Sequence, residues 1–478
     1  MGIAIPMLDL MFFVTENQDN PRHVGAVLIF KKPPRGGAGI VRRVVEAYRR
    51  ALPLAPFNRV PVLWRAGLPE WQEVERFDMD WHVQQRALAA PGSDAQLHRL
   101  VAQLHAPMLE RDRPGWQVFL IDGLERNRFA LFIKVHHALV DGESGIELLH
   151  RSLSRSSRDR RIRTVVETTL PAPAHSARKQ LLSKLEHDAE RTLLGALSFG
   201  LGSQRLIEEG LAGLRGYSDD EARPFTAPLT PMNELIRSAR AIAHTMLPLH
   251  EMQTVARAWG ATVNDVALCV LDAAMNRYLR RLGKAPPRPL VTVCPVSLQR
   301  AEAKQASTLV SIFWTPLGAP RAPIARRMRQ VMENTREAKQ RIRSLPREAA
   351  YAYAVLTFAL GETLALLPRR STNFFLPSNV LISNVRGPEE PLYLGGARLE
   401  ALGPVSTLIS GMGLNITFMS YAGQVVIGFT CNASALPDAD LLARYTREAF
   451  VALRRHSPQR RTPARARRPA SKQREAAA

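Results

Sequence analysis

Residues Phe129 to Val135 alternate Phe129, Leu131, Ile133 and Val135 with Ala130, Phe132 and Lys134, the two-residue period of a β-strand. The strand runs into His136-His137-Ala-Leu-Val-Asp141-Gly142, and a helix is predicted from Asp141 to Leu149. This junction constrains the fold more than any other feature. A rigid sheet must hold the backbone while reactive side chains at the strand end face a cleft, with helical cover beside it.

The surrounding pattern supplies more elements of both kinds. Short strands are predicted at Val24 to Phe30 and Pro61 to Trp64, with a helix from Gly39 to Leu52 between them. A helix over Asp94 to Met108 precedes a strand at Gln117 to Ile121 and a turn at Asp122-Gly123. From Val165 to Pro231 the pattern weakens into pieces rich in Pro, Ser and Arg, with one amphipathic segment around Leu181 to Leu197. That stretch reads as a crossover between two domains. Beyond it, helices are expected at Val263 to Leu282 and Pro323 to Ile342. Strands are expected at Leu290 to Val296, Val380 to Asn384, Leu414 to Ser420 and Val425 to Phe429. A chain of 478 residues with 46% hydrophobic content can bury the cores of two such units. The expected organisation is a mixed α/β fold of α+β character, divided into an N-terminal domain 1–175, a crossover 176–235, a C-terminal domain 236–456 and a basic tail 457–478.

The formal charge of +22 speaks to partners rather than to fold. Arg454 to Ala478 carries nine Lys or Arg, with Pro458, Pro463 and Pro469 interrupting it, and Arg151 to Arg163 carries six Arg against Asp159. Either run can be a solvated segment or a contact for an anionic lipid surface. Three cysteines, Cys269, Cys294 and Cys431, form no CxxC pair, which argues against a disulfide framework or zinc-thiolate site and for a reducing compartment. Met1 to Asn20 shows no secretory pattern, so a cytoplasmic location is expected. The most apolar stretch, Ala349 to Leu367, holds Glu362 and many Ala; a buried helix is favoured over a membrane span, with a helix on the lipid surface as the alternative.

The chemistry of the motif is proton transfer. A histidine at a strand end, with an ordinary pKa near ~6.5, is mostly neutral at cellular pH and can take an alcohol proton as that oxygen attacks an activated carbonyl. Asp141 suits fixing the loop and the neighbouring imidazole, and Gly142 permits a tight turn. The competing explanation is a surface or metal-binding pair, but adjacent side chains at a strand end point to opposite sides and do not readily share an ion. No GxSxG nucleophile elbow occurs in the chain.

HHALVDG at His136 to Gly142 resembles the HHxxxDG signature of the bacterial wax ester synthases/diacylglycerol acyltransferases, within the CoA-dependent acyltransferases that carry HxxxD. The resemblance spans nearly the whole chain. Pro6-Met-Leu-Asp-Leu-Met-Phe-Phe and His23-Val-Gly are similar to the family's N-terminal strand region, and Pro114-Gly115-Trp116 stands where the family has PLW. Asn264-Asp265 resembles its ND motif; Ser383 to Pro388 and Leu414 to Gly423 resemble motifs of its C-terminal domain. Gly115 departs from the usual Leu, and Arg386 from the usual Pro.

The resemblance implies two chloramphenicol-acetyltransferase-like domains with the active site at their interface. It implies His137 as general base, with His136 and Asp141 in support and Gly142, Asn264 and Asp265 in the active-site region. Pro114, Gly115 and Trp116 become substrate-channel candidates, although Asn264-Asp265 taken alone, without the other motifs, reads rather as an ordinary helix cap, and Pro114 and Trp116 as turn and core residues. The implied reaction moves a fatty acyl group from acyl-CoA to diacylglycerol or a long-chain alcohol, with no metal and no cofactor beyond acyl-CoA as substrate. Peripheral association with the inner membrane or lipid bodies is expected, and no nucleic-acid partner. Two rivals stay open: a superfamily acyltransferase using a carrier-bound or polyketide substrate, and a catalytically idle basic lipid-binding protein.

Overall fold

The computed structural model describes residues 3–34, 37–63, 69–169, 227–297, 310–365 and 378–458. The amphipathic segment Leu181 to Leu197, most of the 176–235 crossover and nearly all of the tail lie outside the described residues. The N-terminal half contains β1 (Ile3–Ala4), α1 (Met7–Thr15), β2 (His23–Lys31), α2 (Ile40–Arg50), β3 (Arg59–Val62), β4 (Glu70–Glu73), α3 (Met79–His82), β5 (Val83–Ala87), α4 (Asp94–His105), β6 (Trp116–Leu124), β7 (Arg128–His136) and α5 (Gly142–Ser152). The C-terminal half contains β8 (Arg240–Pro248), α6 (Leu249–Trp259), α7 (Val263–Arg281), β9 (Val291–Ser297), β10 (Val310–Pro316), α8 (Ile324–Arg343), α9 (Arg347–Ala365), β11 (Val380–Val385), β12 (Tyr393–Leu394), β13 (Ala397–Val405), β14 (Leu414–Tyr421), β15 (Gln424–Asn432) and α10 (Ala439–Arg455).

Two six-stranded mixed sheets organise the molecule, in the orders β12-β13-β2-β7-β6-β5 and β10-β9-β11-β14-β15-β8; a small sheet, β1-β4-β3, stands beside the first. The central strand β7 is buried at every position. Phe129, Leu131, Ile133 and Val135 share a core with Val41 and Val44 of α2 and Leu148 and Leu149 of α5. Ala130 and Phe132 instead join Leu97 and Val101 of α4 on the opposite face. A buried large apolar side chain contributes about 1.5–3 kcal/mol relative to an exposed one, so a strand covered on both faces is a firm platform for the histidines at its end.

The first sheet is completed from a distance. β13 pairs antiparallel with β2, from Arg398 opposite Lys31 to Val405 opposite Gly25. Residues 393–405, although inside the expected 236–456 unit, therefore hydrogen-bond into the sheet of the N-terminal half. Passing between the sheets requires close backbone approach: a Cβ on Gly403 would meet the His244 ring at 2.7 Å, and one on Gly428 would meet the Pro404 carbonyl oxygen at 2.2 Å. The halves are also joined through α4, whose His98 Nδ1 lies 2.9 Å from Asp440 Oδ1.

Several local expectations are corrected. The opening Pro6 to Phe13, expected in a strand region, is helical over Met7–Thr15. The chain between β6 and β7 reverses at Arg126 and Asn127, with φ of 60° and 55°, whereas Asp122-Gly123 falls at a register irregularity between Ile121 and Leu124. Arg454 and Arg455 form the last turn of α10, where cations meet the helix C-terminus. The strand expected at Pro61 to Trp64 lies at Arg59–Val62, and Trp64 is outside the described residues. α9 covers most of the apolar stretch and buries Ala350, Tyr353, Ala354, Thr357, Gly361 and Glu362, a helical repeat on one face. Among the described residues no helix is long and apolar enough to cross a membrane.

Candidate active site

The double-histidine step is stitched from both sides by backbone bonds. His136 ends β7, opposite His23 of β2, and its N–H donates to the Gly115 carbonyl at 2.8 Å. The His137 N–H donates to the Arg22 carbonyl at 2.9 Å. Consecutive residues at a strand end diverge, and consecutive residues on a helix are also turned apart, by about 100°. The two pairs match here. Phe12 of α1 stacks on His137, with centroids 4.3 Å apart and planes at 24°, while Phe13 stacks on His136 at 4.2 Å and 7°.

The two imidazoles occupy different surroundings. His136 is buried; its Nδ1 accepts the Ala138 N–H at 3.2 Å, which places the proton of a neutral ring on Nε2. Nε2 faces Glu16 Oε1 at 3.5 Å, longer than an ordinary hydrogen bond. Glu16 also accepts the Arg22 N–H at 3.0 Å and an Arg111 guanidinium N–H at 3.2 Å. Burial alone would raise its pKa; the His136 contact, the Arg22 N–H and Arg111 outweigh it and hold the carboxyl below its ordinary value. His137, by contrast, is only partly buried.

The C-terminal half reaches this site through α9. Arg22, fully buried, places its guanidinium 2.6 Å from Glu362, which also accepts the Ser410 hydroxyl at 2.6 Å. One turn earlier on α9, Phe358 meets Phe12 edge-on at 6.1 Å. The lone acid of the apolar stretch thus has its partner 340 positions away.

Behind the motif, Lys134 is buried and donates to the carbonyls of Leu104 and Pro107 at 3.1 and 2.5 Å, at the C-terminal end of α4. Burial lowers its pKa to about 7. His23 and His105 pack edge to face at 4.4 Å, and burial drives both well below the ordinary histidine value, so they stay neutral. Sequence reasoning missed Phe12, Phe13, Glu16 and Arg22 as parts of the site. Their signal was thin: two adjacent aromatics, and isolated charges next to an apolar segment.

The remaining candidates separate. The Asp141 carboxylate is exposed and accepts the Ser144 N–H at 2.8 Å as the N-cap of α5; it fixes the loop, while its described contacts include neither imidazole. Gly142 is the first residue of α5 without a positive φ, and a Cβ there would meet Val385 at an ordinary 3.6 Å, so a tight turn does not demand it. Asp265 forms a capping box with Thr262 and accepts the Thr335 hydroxyl at 2.9 Å, contacts that all lie in the C-terminal half. Asn264, on the same turn, is partly buried. Trp116 is fully buried, stacks on His82 at 4.1 Å and donates its indole N–H to the Phe57 carbonyl at 2.8 Å; it is core rather than channel wall. Pro114 is buried beside it. Gly115 does line a recess, with Phe13, Trp71, Leu109, Arg111 and His136, of about 260 Å³ including its open mouth.

Comparison with known proteins places this arrangement. Residues 6–267 match the wax ester synthase/diacylglycerol acyltransferase catalytic domain, and residues 308–454 match the WS/DGAT C-terminal domain. A probable diacylglycerol O-acyltransferase of Mycobacterium tuberculosis is 34% identical, covering 93% of this chain and 95% of its own. The wax ester synthase/diacylglycerol acyltransferase from Marinobacter aquaeolei VT8 superposes with a TM-score of 0.74 at 28% identity, covering 95% of this chain and 99% of that one. The first condensation domain of the calcium-dependent antibiotic synthetase, 16% identical with a TM-score of 0.57 over 95% and 96% of the two chains, shares the fold alone. Sequence and architecture agree: the chain belongs to the wax ester synthase/diacylglycerol acyltransferase family.

Proposed function

We propose that this acyltransferase moves a fatty acyl group from acyl-CoA to the hydroxyl of diacylglycerol or a long-chain alcohol, with His137 as the general base. The observation that carries the assignment is the contrast within the pair: His136 is packed away against Phe13 and Glu16, and His137 is partly open at the strand end. His137 takes the acceptor's proton as its oxygen attacks the thioester carbonyl. The tetrahedral intermediate then collapses, the C–S bond breaks, and the protonated imidazole returns the proton to the departing thiolate. The sequence needs acyl-CoA as a substrate and no further cofactor. Asp141 supports the site indirectly, by capping the helix that follows the loop.

The basic runs support peripheral attachment to an anionic membrane or lipid-body surface, from which the acceptor would be drawn. Thiol release from palmitoyl-CoA, measured with dioleoylglycerol and with hexadecanol in wild type and His137→Ala, tests the reaction. Acceptor-dependent release with ester formation is expected, reduced about 10²–10⁴-fold in the variant. Release that survives in His137→Ala refutes the general-base assignment; none with either acceptor favours a carrier-bound substrate.

A further inference from the structure

Arg22 is the residue on which the site's contacts converge. Its N–H donates to Glu16, its carbonyl accepts the His137 N–H, and its guanidinium is tied to Glu362. Glu16 is buried, with 1% of its side chain exposed, and stands at the C-terminal end of α1, the helix whose Phe12 and Phe13 stack on the two histidines. One carboxylate oxygen holds the Arg22 N–H and faces His136 Nε2; the other is held by Arg111, whose side chain is one-third exposed.

We propose that Glu16 is a positioning residue for the reaction: it holds Arg22 so that the Arg22 carbonyl fixes the His137 backbone, and it keeps the His136 proton on Nε2 so that Nδ1 continues to accept Ala138 N–H. The proposal rests on His137 being the base. The action of Glu16 runs through the backbone on either side of the step. Without a full-length acceptor at this place, two linked bonds loosen together, the one from Arg22 to Glu16 and the one from Ala138 to His136. A displacement of about 1 Å in a catalytic group is enough to cost on the order of 10²-fold in rate.

Two substitutions separate reach from charge. Glu16→Gln keeps an oxygen at the same distance for Arg22 and turns its amide toward Arg111, which can swing into solvent. Glu16→Asp keeps the charge and withdraws it by one methylene. We expect kcat to fall about 10²-fold in Glu16→Asp with KM for acyl-CoA and acceptor unchanged within about twofold, and to stay within about fivefold of wild type in Glu16→Gln. Nitrogen-15 spectra of ring-labelled histidine, assigned with His136→Asn, should show unprotonated Nδ1 in wild type and Glu16→Gln and a tautomer mixture in Glu16→Asp. This readout does not depend on turnover, so it stands apart from the fate of the general-base assignment. Equal losses in the two variants, a loss carried by KM, or a folded Glu16→Asp enzyme with wild-type kcat and a single tautomer would overturn the proposal.

Discussion

The two halves share an architecture, a six-stranded mixed sheet with helices against it, yet they differ in what they bury. In the N-terminal half, polar groups crowd one end of the sheet: Glu16, Arg22, His23, His105, Lys134 and His136 are all buried there. The C-terminal half has a continuous apolar core, from Ala227 through Leu453. Its buried ion pair, Asp272 with Arg327, joins α7 to α8 and is completed by the Gly318 N–H and Asn276. Each half has an aspartate at a helix start, but Asp265 is buried in a capping box and Asp141 lies in the open beside the motif. Desolvating charge is expensive, and among the described residues one sheet meets that cost at Asp272 and Arg327 with a pair contained within its own half. The other spreads it through a network that ends at His137. The difference sets the strand end at His136 and His137 apart as the place where buried charged and titratable groups gather.

The largest effect that tests this contrast is expected from the two ion pairs. Glu362→Ala leaves Arg22 buried without its carboxylate, and Asp272→Ala does the same to Arg327, so each should cost about 3–5 kcal/mol in denaturant unfolding. Only Glu362→Ala should also lower kcat of the folded fraction, because Arg22 carries the carbonyl that holds His137. Equal kinetic effects would erase the distinction between the halves.

A smaller effect is expected at Gly115. A Cβ there would meet the His136 Cβ at 3.0 Å and Leu139 at 3.4 Å, and the His136 backbone is pinned by its bond to the Gly115 carbonyl. Gly115→Leu should lower stability by about 1–3 kcal/mol and slow turnover as His136 shifts. A neutral or stabilising result in a thermal melt would mean that the recess accepts the side chain without moving the histidine. The smallest effect sharpens the aspartate comparison. Asp141→Ala should cost about 1 kcal/mol, the ordinary value of an N-cap, with less than about tenfold in kcat; a loss approaching that of His137→Ala would give Asp141 a direct part in catalysis.

The sequence made the motif, its strand and its following helix legible because alternation and composition are local signals, and β7 and α5 are local structures. The same holds for α2, α4, α7 and α8. The rest of the site was hidden because it is assembled over long separations. Glu362 betrayed itself as a charge in an apolar run, but nothing local could name Arg22 as its partner. β13 was missed because Ala397–Val405 includes Gly403 and Pro404 and carries little strand signal of its own. Phe12 and Phe13 read as ordinary apolar residues until α1 is laid against the strand end.

The pairing of β13 with β2 also bears on the order of events during synthesis. Strand β7 is in the nascent chain by residue 136, but β2, which pairs with it, keeps a bare edge until residues 397–405 have been made. For more than 250 residues of elongation, the growing chain therefore presents a nine-residue strand, His23–Lys31, able to recruit any other extended segment it meets. Closure of that sheet is a long-range event that waits on β13, so the platform behind His136 and His137 is completed late in synthesis.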